Sequence, residues 1–149
     1  MSSDPAPAPA SGLFTGGEHL FPVRVYYEDT DLSGVVYHAN YLRYMERARS
    51  DMLRVAGIDQ RAAHEAGVGS YAVADIALRY RAPARLDDAL TVRSRIDRVS
   101  AVRCAIAQSI WRAETLLADG GVTVAFIDPL GRPRRQPAAW IDRFKQLSS

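Results

Sequence analysis

Over residues 40–56, Tyr41, Met45, Ala48, Met52 and Val55 recur at helical spacing while Arg43, Arg47, Asp51 and Arg54 fall elsewhere, and Gly57 marks the stop. This is the chain's best helix, and most of what surrounds it reads with the period of a strand. After Gly69, Ala74, Ile76, Leu78 and Tyr80 alternate with Val73, Asp75, Arg79 and Arg81 until Pro83. Leu90, Val92, Ser94 and Ile96 then alternate with Thr91, Arg93, Arg95 and Asp97; Val102, Cys104, Ile106, Gln108 and Ile110 follow, and Val122, Val124 and Phe126 come after Gly120 and Gly121. Ahead of the helix, Phe21, Val23, Val25 and Tyr27 mark a strand over residues 20–28. One long helix among about five antiparallel strands predicts an α+β domain in which the sheet wraps the helix. The turns at Asp87-Asp88, around Ser100 and around Glu114 are short enough for hairpins. A shorter helix is expected over residues 60–66, a turn at Asp128 to Gly131, and a terminal helix over 138–147. There are no repeats.

At 149 residues the chain fits one domain with a real core. Its net charge is only +2, with 18 arginines and the single Lys145 interspersed among acids, so the basic cluster that nucleic acid requires is missing. Cys104 stands alone, which excludes an intramolecular disulfide and a zinc site built from cysteines and fits a reducing compartment. The N-terminus has neither a basic region nor an apolar one, so it does not read as a signal peptide, and no stretch approaches the ~18 apolar residues of a membrane helix. Residues 1–18 are expected to be a disordered Pro/Ala-rich tail and 19–149 a single domain, cytoplasmic and not transmembrane.

The candidate site is the run from Tyr26 to Tyr41, which places three acids, a glycine turn, an apolar run and a histidine directly before the helix. A carboxylate at a strand end, followed by a turn into a helix N-terminus, pairs a nucleophile or base with amide donors for an oxyanion. That arrangement suits acyl transfer to water. Asp31 is either the working carboxylate or a turn-forming aspartate. Asp29 and Glu28 read as supporting charges. His38 can donate from its ring, donate from its backbone amide, or simply pack at a helix start; His19 and His64 look unrelated. Asp29 to Gly34 also matches the first half of a calcium loop, but Asn40 stands where that loop needs a glutamate, and a strand precedes it. Cys104, on an alternating strand, reads as core. Arg79, Arg81, Arg93 and Arg95 read as a solvated face; Arg98 and Arg103, flanking the turn near Ser100, are the better candidates for phosphate contacts.

Tyr27 to Asp31, Gly34 to Tyr41, Glu46 to Arg49, Tyr80 to Asp88 and Asp128-Pro129 together resemble the hotdog-fold acyl-CoA thioesterases. They are most similar to the YbgC branch associated with the Tol-Pal envelope system, within the 4-hydroxybenzoyl-CoA thioesterase superfamily, over about residues 21–144. The resemblance implies a hotdog fold, with a five-stranded antiparallel sheet around a long central helix. It implies thioester hydrolysis of an acyl-CoA, or of an acyl-carrier protein, with Asp31 as nucleophile or general base and the amide at His38 polarising the carbonyl. Tyr27, Glu28, Asp29, Gly34, Asn40 and Tyr41 would support the site, and Arg98 and Arg103 would meet coenzyme A. No metal or other cofactor is implied, since coenzyme A arrives with the substrate. The resemblance further implies a homodimer or a dimer of dimers, joined edge to edge with the site at the subunit interface. The alternatives are a hydratase or dehydratase on the same fold using His38, and a non-catalytic scaffold for envelope or phospholipid-synthesis partners.

Overall fold

In the computed structural model, which describes residues 5–148, the helical stripe becomes α1 (His38–Val55). Tyr41, Met45, Ala48 and Met52 are buried as the spacing predicts, and Tyr44 and Leu53 widen the stripe. Val55 falls off it and is exposed. Gly57 ends the helix with a left-handed φ of +84°, a conformation that other residues rarely adopt. Around α1 lie β1 (Leu13–Thr15), β2 (Glu18–Arg24), β3 (Ser70–Tyr80), β4 (Ala89–Val99), β5 (Arg103–Arg112) and β6 (Thr115–Ile127), with α2 (Gln60–Glu65) and α3 (Ala138–Leu147). The strands form one antiparallel sheet in the order β1-β2-β4-β5-β6-β3. Its inner face sends Leu90, Val92 and Ile96, then Cys104, Ile106 and Ile110, then Val122 and Val124, against α1. Among the described residues no helix is long and apolar enough to cross a membrane.

The sheet has six strands where five were expected, and three local readings change with it. Asp87-Asp88 is not a hairpin: β3 pairs with β6, whereas β4 pairs with β2, so residues 81–88 cross between distant strands. β6 runs straight through Gly120-Gly121 instead of starting after it. At Gly120 a Cβ would stand 1.9 Å from the Ala77 carbonyl oxygen, so glycine is what lets β3 approach. β2 ends at Arg24, because Asp29 N donates to Tyr26 O and Thr30 N to Tyr27 O, closing a 3₁₀ turn over Tyr27–Asp29 that takes Glu28 out of the strand.

The expected tail over residues 1–18 is corrected at its inner end; residues 1–4 lie outside the described residues. Pro5 to Ala10 are exposed and form no element. Leu13, Phe14 and Thr15, however, pair with Leu20, His19 and Glu18 across a Gly16-Gly17 turn in which both glycines have positive φ, the geometry of a two-residue hairpin. Asp51 of α1 straps this hairpin down. It accepts bonds from Ser11 Oγ (3.0 Å) and Gly12 N (2.8 Å) and lies 2.8 Å from His19 Nε2. His19 is fully buried between the rings of Phe14 and Phe21. Its Nδ1 has no partner among the described residues, which puts the proton on Nε2, donated to Asp51. Burial outweighs the pull of Asp51 and holds the imidazole below its ordinary pKa of 6.5.

The strap makes two tests possible. Removing residues 1–10 is expected to leave the urea midpoint unchanged, while removing 1–18 should cost about 2–3 kcal/mol through the two lost bonds and the exposed imidazole. Equal midpoints would contradict the strap. A histidine depressed in the folded state also binds fewer protons there than in the unfolded chain. Its contribution is therefore complete above about pH 6.5 and declines as pH falls below that value.

Candidate active site

The site is built where β2 hands the chain to α1. After the 3₁₀ turn, Asp31 N donates to Val35 O and Gly34 N to Asp31 O, both at 3.0 Å, closing a tight turn that Gly34 permits with a φ of +80°. Thr30 bridges Val36 across it. The segment is anchored outward by Val36 N to Ala84 O (2.8 Å) and by a bridge between Val35 and Arg85, which is the purpose of the crossing segment. Tyr37 N then donates to Asp29 O (2.9 Å), and α1 begins at His38.

On this turn the Asp31 side chain is exposed, with Oδ1 accepting from Ser33 N (2.8 Å) and from Ser33 Oγ. Those Ser33 bonds, with a smaller contribution from His38 nearby, hold its carboxyl below the usual aspartate value. As the first amides of α1, those of His38 and Ala39 have no intrahelical partner, and with no side-chain cap at Tyr37 they remain free donors among the described residues. A carboxylate kept ionised thus stands beside an uncapped helix N-terminus. His38 is exposed, its ring 4.4 Å from that of Tyr37 and edge-on to Tyr80 at 6.4 Å.

The supporting residues divide between pillars and bystanders. Asn40 is buried, donates from Nδ2 to Asp29 O (2.8 Å) and accepts from Arg43 Nη1, tying the first turn of α1 to the carboxylate loop. Tyr41 is buried, and its hydroxyl accepts from Ala84 N (2.9 Å), fixing the crossing segment. Asp29 turns inward: it is buried, and its carboxylate accepts from Tyr26 N (2.9 Å). Burial, then the nearby Asp29 carboxylate, pushes the Tyr44 hydroxyl above its ordinary pKa. Glu28 and Tyr27 point to solvent, Tyr27 at 82 % exposure, and in a single chain Tyr27 serves through its carbonyl, which receives Thr30 Oγ1.

Tyr80 was missed by sequence reasoning, yet its hydroxyl donates to His38 O (2.8 Å) and so pins the entrance of α1 to the edge strand β3. Its place at the head of the Tyr80 to Asp88 block was a signal for the family, but nothing in it named a contact with His38. Ser33 was also missed, although a serine two residues after an aspartate is a familiar turn partner. Arg98 and Arg103 lie together, lining a hollow of about 270 Å³ with Ser100, Ala105 and Thr123. Within one chain they are not brought to Asp31, because Arg98 sits at the far end of β4 from Ala89, roughly 30 Å away along the strand. Among the described residues no group of histidine, cysteine and acids could hold a metal ion. Cys104 is core, its thiol pushed up to about 11 by burial.

The thioesterase-like superfamily matches residues 25–146. The acyl-CoA thioester hydrolase YbgC of Escherichia coli is 44% identical over 128 residues, covering 85% of this chain and 95% of that protein. A probable thioesterase from Bartonella henselae superimposes with a TM-score of 0.76 at 39% identity, over 80% of this chain and 99% of that one. A 1,4-dihydroxy-2-naphthoyl-CoA thioesterase from Synechocystis gives 0.82 at 26% identity, over 89% and 99%.

Proposed function

Since the chain belongs to the thioesterase-like superfamily, with YbgC-type relatives and a hotdog fold, we propose that it hydrolyses acyl-CoA thioesters to the free acid and coenzyme A with Asp31 as the working carboxylate. The observation that carries this reading is the exposed, ionised Asp31 beside the free amides of His38 and Ala39. The thioester carbonyl oxygen sits on those amides. Asp31 either takes a proton from the water that attacks the carbonyl carbon, or attacks that carbon itself to give an acyl-aspartyl anhydride that water then opens, returning the free carboxylate; by both routes a C–O bond forms as the C–S bond breaks. The electron pair leaves on the coenzyme A sulfur, and the net change is addition of water. One oxyanion donor is typically worth ~3–4 kcal/mol of barrier. A thiolate leaves without an acid, so the mechanism asks for no second proton donor and no metal. Spectrophotometric release of free thiol from a panel of acyl-CoAs tests the reading; a folded protein that releases none would overturn it.

The substrate is an acyl-CoA, with acyl-carrier protein as a second carrier, and the reaction is placed in the cytoplasm, whose reducing conditions suit the lone Cys104. The working unit is a homodimer, or a dimer of dimers, joined through β3. That strand is the long outer edge of the sheet; its outward side pairs with nothing among the described residues, and Val73, Ile76 and Tyr80 are exposed along it. An unprotected edge of eleven residues invites a second copy. Sedimentation at micromolar concentration is expected to give a dimer or tetramer, and a fully active monomer would contradict it.

A further inference from the structure

Behind β3, α1 and the sheet leave a cavity of about 100 Å³ walled by Met52, Leu53, Ile106, Val124, Tyr71 and Val73. Arg49 borders it. The residue is only 9% exposed, yet among the described residues its one hydrogen bond goes from Nη1 to the neutral Gln108 Oε1 (2.9 Å). Gln108 is itself fully engaged, its Nε2 donating to Met45 O and Ser94 Oγ, both at 3.0 Å. Among the described residues no carboxylate comes within ion-pair distance of Arg49. Burying a cation without an anion is costly, and burial indeed lowers its pKa against the single opposing charge of Glu46 at the rim. Ser50 and Gln60 also line the cavity, on the helical side, while its sheet side is apolar. An arginine with unused donors at such a mixed cavity is complementary to a carboxylate on a short aliphatic stem.

The place of the cavity says whose carboxylate. Antiparallel pairing of two β3 strands about their midpoint sets Tyr71 and Val73 of one copy against the Tyr80 end of the other. Tyr80 holds His38 O, so the second copy's catalytic turn travels with that end. We propose that the cavity is the acyl pocket for the second copy's Asp31, and that Arg49 selects acyl groups ending in a carboxylate. This rests on the thioesterase reading and on the β3 dimer. The volume, below the ~150 Å³ that admits benzene, suits the end of a short dicarboxylic acyl group and excludes a long tail.

The test compares kcat/KM for glutaryl-CoA and for 5-methylhexanoyl-CoA, which has the same shape with two methyls in place of the carboxylate oxygens. Wild type is expected to prefer glutaryl-CoA, and Arg49→Met to cut that preference at least about tenfold while hydrolysing 5-methylhexanoyl-CoA as well or better. Methionine fills the space without charge, so the variant is expected to fold, as circular dichroism would verify. Glu46→Gln, which removes the competing rim carboxylate, should raise the preference. A wild type that favours 5-methylhexanoyl-CoA, or a preference that neither substitution changes, overturns the selectivity of Arg49 alone. No release of coenzyme A from either thioester overturns the thioesterase reading, and this inference with it.

Discussion

Asp31→Asn is expected to lower coenzyme A release by between a hundredfold and about ten-thousandfold, the range for removing a positioned base or nucleophile. Asparagine keeps the shape and can still accept from Ser33, so the turn should persist; the side chain is exposed and carries no core packing. Asp29→Asn is expected to behave in the opposite way. That residue is buried and its carboxylate accepts from Tyr26 N, so the loss should appear in stability, while turnover per folded molecule stays near normal. Glu28→Gln, at a solvent-facing position, should do little to either. Steady-state thiol release with circular dichroism on the three variants separates them. Near-normal turnover in Asp31→Asn beside loss in a well-folded Asp29→Asn would reverse the assignment.

Asn40→Ala is expected to cost about 1–3 kcal/mol of stability, because it leaves Asp29 O with one donor fewer in a buried place and removes the acceptor of the exposed Arg43. It should also lower kcat about ten- to a hundredfold in molecules that remain folded, since the amide is what holds the Asp31 turn against the first turn of α1, and small misplacements of a reacting group are expensive. A urea titration and kcat on the same preparation check both parts. Lost stability with unchanged kcat would confine Asn40 to the fold.

What could be read from the sequence was what periodicity and local turn chemistry control. The α1 stripe short of Val55, the strands β3, β4 and β5 and the Asp31–Gly34 turn lie in short stretches and appear where their spacing puts them, whereas β6 begins ahead of the glycine pair that was expected to precede it. What escaped depends on pairs distant in sequence. The Asp87-Asp88 stretch reads locally as a hairpin, but Ala84 and Arg85 are claimed by Val36 and Val35, some fifty residues earlier, and the chain must cross to reach them. Tyr80 meets His38 O only because β3 lies at the sheet edge beside the start of α1. Arg49 carries no local signal beyond its place in the Glu46 to Arg49 block, because its surroundings are made by Gln108, 59 residues later, and by the cavity. The β1–β2 hairpin is different, because Gly16-Gly17 is a local turn signal; the Pro/Ala run before it drew residues 13–18 into the expected tail. At the site, the motif marked Asp31, Gly34, His38 and Asn40, but not that Asp29 would turn inward while Asp31 stayed in water.

The claim that a carboxylate does the chemistry is tested most directly by the pH dependence of kcat/KM, which reports on groups of the free enzyme. Ser33 holds Asp31 below the ordinary aspartate value of 3.8. Initial rates on a short acyl-CoA, measured where circular dichroism shows the protein folded, should therefore stay level from neutral pH down toward pH 4 and fall only below it. An acid limb centred between about pH 6 and 7, in the ordinary range of an imidazole, would make His38 the working base and contradict the assignment to Asp31.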